Sequence, residues 1–236
     1  MVKLYVIPVE KSCNAHCNFC ITTVRKNSGI LCEEDYLNIA TLETRLKQIE
    51  AHKIEITGGG EPTLHPEIEK IIDICTAQAK TQMYTNGSLA FQITNLEKLD
   101  LLCISRAHHL EETNHRIMGI AYDAKQLTKR LPVKFSLMLC NEGISRPSEF
   151  FSYLKWASSL NAKKVVVREM FNVDYGNQNS QYVPIVDFFS SLEIKNYTFS
   201  GRNPLYKKNE LEIEFEFPEL TLHADGKLRR GWRDEI

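Results

Sequence analysis

The chain has 236 residues, 43% hydrophobic and 25% charged, and a formal net charge of -1. That is enough chain to bury one full core, and the balanced charge excludes a protein held to nucleic acid or to a membrane surface by electrostatics alone. No apolar run reaches membrane-spanning length, and the opening MVKLYVIPVEKS is too soon interrupted for a secretion signal, so a cytoplasmic protein without a membrane partner is expected.

The first apolar run, LYVIPV at 4–9, reads as a strand. A cysteine-bearing loop follows, and residues 33–48 have helical spacing. KIEIT at 53–57 is a second strand ending in GGGEP. Residues 65–79 form a helix, and 81–87 a strand running into a turn. A weaker helix spans 91–98. LLCIS at 101–105 is the fourth strand. Residues 114–129 read as one helix with Gly119 its weak point. VKFSLMLC at 133–140 is the fifth strand. Pro147 opens a helix over 147–160. The sixth strand is 163–167, and a further helix covers 183–192.

Strand and helix thus alternate about six times, which calls for parallel strands with crossover helices, in a barrel or an open sheet. In either architecture the site gathers just after the strands' carboxyl ends. The polar and unusual residues lie there: the cysteines at 13–20, the glycines and Glu61 at 58–61, Thr85, Asn86 and Gly87, Ser105 and Arg106, Cys140 and Asn141, Arg168 and Glu169. Beyond 193 the pattern changes. LEIEFEF at 211–217 alternates strictly, and Asp225-Gly226 reads as a hairpin turn. The expected organisation is a main unit over 1–193 and a C-terminal antiparallel β extension over 194–236 packed on it.

Seven cysteines, at 13, 17, 20, 32, 75, 103 and 140, make a poor disulfide framework. Cys75 and Cys103 sit in apolar runs and read as buried thiols. Cys13, Cys17 and Cys20 are spaced C-x3-C-x2-C in CNAHCNFC. Thiolates suit iron–sulfur centres, and three of them leave one iron of a four-iron cubane open to an outside ligand. Zinc with His16 as fourth ligand is the alternative.

The three-cysteine loop after a first strand, with Phe19 before its last cysteine, resembles the radical S-adenosylmethionine (SAM) superfamily. Gly59-Gly60-Glu61-Pro62 matches that family's glycine–glutamate motif, and Thr85-Asn86-Gly87 is another common feature. The resemblance covers about residues 4–170. It implies an α/β fold, a partial (β/α)6 TIM-like barrel, carrying an oxygen-sensitive [4Fe-4S] cluster on Cys13, Cys17 and Cys20 with SAM chelating the fourth iron. It also implies that Phe19 faces the adenine and that Gly59, Gly60 and Glu61 meet the methionyl ammonium. Asn86 belongs to the same cofactor-binding group. Ser105 is placed for the ribose or carboxylate, with Asn141 and Arg168 as further SAM contacts.

The activity implied is reductive cleavage of SAM to a 5'-deoxyadenosyl radical that takes a hydrogen from a small-molecule or short peptide substrate. The electron comes from an external one-electron reductant such as flavodoxin or ferredoxin. Two other readings stay open: an activase-like protein acting on a glycyl-radical partner enzyme, and a non-catalytic iron–sulfur or zinc module. Cys140, ending the fifth strand, is a candidate hydrogen donor to a substrate radical, with Cys32 a second and packing the plainer role for each. Asn172 and Tyr175 are candidates for the substrate border. No cysteines follow Cys140, so no auxiliary cluster domain is expected, and nucleic acid is not expected as a partner.

Overall fold

The computed structural model describes residues 2–20, 22, 33–170, 181–196, 198–200, 203–208, 210–216, 220–222, 228–230 and 234–235. The sequence-based expectations for Cys32, Asn172, Tyr175 and the 225–226 turn lie outside them.

Six strands pair in parallel and in chain order: β1 (Val2–Val6), β2 (Ala51–Ile56), β3 (Lys80–Thr85), β4 (Leu101–Ser105), β5 (Val133–Leu139) and β6 (Lys164–Glu169). The order never reverses. With right-handed crossovers, every connecting helix therefore falls on the same side of the sheet. This decides between the two architectures left open above: the chain is a partial barrel. Its described helices are α1 (Ile39–Leu46), α2 (Ile68–Gln78), α3 (Glu111–Met118), α4 (Ala124–Arg130), α5 (Pro147–Ser159) and α6 (Ile185–Ser191).

The sheet continues past β6. Strand β9 (Leu211–Glu216) pairs parallel to β6, and β8 (Asn203–Lys208) and β7 (Thr198–Ser200) follow antiparallel. The expected antiparallel extension is present, but it prolongs the main sheet instead of stacking on its end, so residue 193 is no boundary between sheets. A separate three-stranded sheet holds β10 (Leu220–Leu222), β11 (Leu228–Arg230) and β12 (Asp234–Glu235).

Alternation along the strands makes two unlike faces. Ile54, Met83, Leu102, Phe135, Val165, Ile213 and Phe215 are buried on the helix-bearing face. There Phe135 packs on Trp156, and Phe215 packs on Phe150 and Phe189. The inner face reads differently across the register: Tyr84 opposite Cys103, Cys103 opposite Lys134, Lys134 opposite Lys164, Lys164 opposite Glu212. The core of this barrel lies between sheet and helices, and its inside is polar.

Helix boundaries differ from the sequence reading at three places. Helix α1 starts only at Ile39, capped by Asn38, because the residues before it strap the cysteine loop: Tyr36 bridges Val9, and the Asp35 carboxylate accepts the Lys11 and Ser12 N–H groups at 2.6 and 3.1 Å. The single helix expected over 114–129 is two, parted by Gly119 in the left-handed region at φ 71°. The weak helix at 91–98 is two 3-10 turns, Ala90–Gln92 and Leu96–Lys98.

Candidate active site

The cysteine loop leaves β1 and is held from three sides. The Gly60 and Glu61 N–H groups donate to the Val9 and Ser12 carbonyls, tying the loop to the end of β2. The His16 N–H donates to the Met118 carbonyl at 2.8 Å, so the carboxyl end of α3 supports the loop from below. The third attachment is Asp35. A glycine is required at 60, since a Cβ there would run into the Ser12 carbonyl oxygen, which is backbone and cannot swing aside.

Glu61 is 3% exposed and its carboxylate is fully engaged. One oxygen accepts the Thr63 N–H (3.1 Å), the Thr63 hydroxyl (2.7 Å) and the Thr85 hydroxyl (2.5 Å); the other accepts the Asn86 N–H at 2.7 Å. Burial pushes its pKa up and these four donors pull it back. The turn after β2 is thereby joined to the turn after β3. Asn86 carries the chain of contacts onward: its amide donates to Asn14 at 2.7 Å and lies 3.9 Å from the Cys13 sulfur, and Asn14 donates to Ser88.

The three thiols share this locale. Burial pushes the Cys17 thiol up to about 12, with Cys20 and Cys13 each adding to the rise, and burial also raises Cys13. An iron centre would supply the charge that holds such thiols as thiolates and displaces their protons. The Ala15 N–H at 3.4 Å and the Asn86 amide are donors aimed at Cys13. Among the described residues no three His, Cys, Asp or Glu groups are drawn together as ligands of a metal ion. Three thiols on one loop, with the Ala15 N–H and the Asn86 amide turned to Cys13, are the donor types a cubane would use.

The other expected site residues fall in different places. Phe19 is partly buried against the core beside the loop, and Gly59 accepts the Thr22 hydroxyl on its carbonyl. Ser105 lies on the inner face, level with Ser136. Asn141 sits on the rim, its N–H donating to the Gln181 carbonyl. Arg168 points into the barrel, ion-paired with Glu216 at 2.5 Å and over the Tyr84 ring, so a SAM carboxylate would have to displace Glu216 to reach it. Cys140 is wholly buried in the hydrophobic core, its sulfur packed against Gly143.

Several residues escaped the sequence reading. Arg106, grouped there with the polar residues at the strand ends, is 2% exposed, bonded to the His108 carbonyl and Glu111 and set between the Tyr122 and Trp156 rings. Lys134, Gln82 and Tyr84 line the barrel interior. Their signal was present as polar residues at alternate positions of the third and fifth strands, Gln82 and Tyr84 in one and Lys134 and Ser136 in the other.

The fold is the partial barrel of the radical SAM enzymes. The chain is similar to SuiB of Streptococcus suis bound to S-adenosylmethionine (17% identity, TM-score 0.68, covering 91% of this chain and 50% of that one) and to SuiB bound to its precursor peptide SuiA (18%, 0.63, 81% and 44%). It is also similar to anSMEcpe with bound AdoMet (16%, 0.60, 80% and 59%). The chain spans about half the length of the SuiB structures it matches. By sequence, no family profile and no curated protein matches it. Among the described residues no helix is long and apolar enough to cross a membrane.

Proposed function

We propose that the chain is a radical SAM enzyme acting on a peptide or small-molecule substrate inside the barrel. The observation that carries this reading is the welding of the three-cysteine loop to the glycine–glutamate turn and to Asn86 at one edge of a partial barrel. The resemblance to SuiB, seen with its precursor peptide SuiA, favours a peptide. When bound, a [4Fe-4S] cluster supplies the electron that cleaves SAM to methionine and a 5'-deoxyadenosyl radical able to take a substrate hydrogen.

This chain's own residues do the rest. Cys13, Cys17 and Cys20 would hold the irons. Phe19 would lie beside the adenine, and the turn at 59–61 would offer backbone acceptors to the methionyl ammonium, with Glu61 holding that turn in place. Ser105 and Asn141 would meet the ribose or carboxylate. Glu61 holds Thr85 and Asn86 in register, and the strap from Asp35 keeps the loop closed over the barrel edge. The reductant would be an external one-electron carrier of the flavodoxin or ferredoxin kind.

Anaerobic reconstitution tests the proposal. The protein is expected to take up about four irons and four sulfides, to lose them when Cys13, Cys17 or Cys20 is replaced by alanine, and to form 5'-deoxyadenosine from SAM under a low-potential reductant. A stable cluster with no SAM binding or cleavage would return the non-catalytic module; stoichiometric zinc without iron would end the cluster assignment.

A further inference from the structure

The inner face of the sheet is a row of charges, and of the cations that β1, β2, β5 and β6 place along it Lys134 alone has no carboxylate within ion-pair distance among the described residues. Lys3 and Lys53 share Glu55, each at 2.8 Å. Lys164 holds Glu214 at 2.5 Å, and Arg168 holds Glu216. Lys134, only 8% exposed and the most buried of these, pairs with no carboxylate among the described residues. Its ammonium donates to the Tyr84 hydroxyl at 3.1 Å and stands 4.8 Å from the centre of that ring, with the Arg168 guanidinium 5.6 Å from the same ring. Gln82 donates to the same phenol oxygen at 3.2 Å.

Two consequences follow from hydrogen-bond capacity alone. An ammonium has three protons, and a phenol oxygen that accepts from both Lys134 and Gln82 must send its own proton elsewhere. Beyond Tyr84 and the Cys103 sulfur beside it, Lys134 keeps a further proton, and the Tyr84 hydroxyl keeps its own. A buried ammonium without an anion is costly to keep unless something supplies the opposite charge. The neighbouring Cys103 does not, because burial raises its thiol above the ordinary range despite Lys134 beside it, and Glu214, which feels Lys134 through space, is held directly by Lys164 and Asn203.

We propose that Lys134 and Tyr84 form the substrate-recognition subsite of this barrel and that the substrate carries a single negative charge, a carboxylate, which they bind. The assignment rests on the functional reading above and deepens it. A buried ammonium with no direct ion pair, between Lys164 and Arg168 that are already paired, matches a monoanion better than a phosphate dianion. A peptide's terminal carboxylate or an acidic side chain has the right chemistry.

The test uses the anaerobically reconstituted, SAM-loaded protein and three probes: N-acetylglycine as the carboxylate, N-acetylglycinamide as its uncharged counterpart, and inorganic phosphate. Ligand-observed NMR is expected to show millimolar binding of N-acetylglycine, none of the amide, and weaker binding of phosphate. Lys134→Met should weaken the carboxylate about tenfold, the scale of one charge-assisted contact. Tyr84→Phe, which leaves the fold's charge balance unchanged, should weaken it by a smaller factor, and Lys134→Arg should restore part of the loss. Carboxylate binding that is absent, or equal in all variants, overturns the subsite, and a preference for phosphate overturns the monoanion. Iron content and SAM binding measured on the same samples separate the two readings: their absence sinks the radical SAM reading, whereas the probe titration judges Lys134 and Tyr84 alone.

Discussion

Glu61 shows how one side chain can serve a ligand site without a free atom to spare. Its four donors are two N–H groups and two hydroxyls, all suited to a carboxylate. Glu61→Gln would turn an amide NH2 against one of them. Stability in urea is expected to drop by about 1–3 kcal/mol, with iron retention falling alongside. A fall in SAM affinity alone, with stability and iron unchanged, would place the carboxylate on the ligand instead. His108 permits a pH prediction. Its Nδ1 accepts the Leu110 N–H at 3.0 Å, and burial lowers its pKa to about 4, with His109 stacked against it. The unfolded ring takes a proton near its ordinary 6.5 and the folded ring only near 4, so in that window the unfolded state binds more protons and stability falls as the pH drops. His108→Asn, which keeps an acceptor but does not titrate, should flatten this acid limb in denaturation curves recorded from pH 7 to 4.

At the level of elements, the break between α3 and α4 belongs to the site as much as to the fold. Gly119 ends α3 in the left-handed region, its N–H on the His115 carbonyl at 2.7 Å, and this leaves the Met118 carbonyl for the His16 N–H. Gly119→Ala is expected to cost about 1–2 kcal/mol, the penalty for a Cβ in that conformation. Gly119→Asn should cost less. Thermal unfolding of the two variants checks the order. The sequence located this weak point because a glycine in a helical pattern is a local signal. The late start of α1 was not legible in the same way. Residues 33–38 have helical spacing, and only the distant partners Val9, Lys11 and Ser12 draw them into a strap. The cysteine spacing, the glycine–glutamate turn and the strand ends were readable for the same local reason. The Asn14–Asn86 contact and the burial of Arg106 depend on chain segments far apart in sequence and could not be read.

Over the whole molecule, the two-faced sheet is what makes a site possible inside a barrel. Where apolar layers would ordinarily fill the interior, β3, β5, β6 and β9 place Tyr84, Lys134, Arg168 and Glu214 there. Stability is left to the outer layer. Phe215 is wholly buried there, between Phe150 at 5.7 Å and Phe189 at 4.8 Å. Phe215→Ala is expected to cost about 3–5 kcal/mol in chemical denaturation, the range for emptying a buried aromatic site. A cost near zero would mean that β9 contributes little to the core. The strict alternation of LEIEFEF announced a strand with one charged and one apolar face. What it did not announce was which neighbour it would choose, because pairing with β6 reaches back across some forty residues.

That long reach sets an order of events during synthesis. Strand β6 is complete at Glu169, whereas the strand that covers its free edge begins at Leu211. At about 5–20 residues per second, a ribosome leaves that edge bare for roughly 2–8 s. Throughout that interval the Val165, Val166 and Val167 backbone is an open template for another nascent chain, and Lys164 and Arg168 wait without Glu214 and Glu216. Their two positive charges, on the strand that must stay unpaired, repel a second copy of the same edge until the proper glutamates emerge.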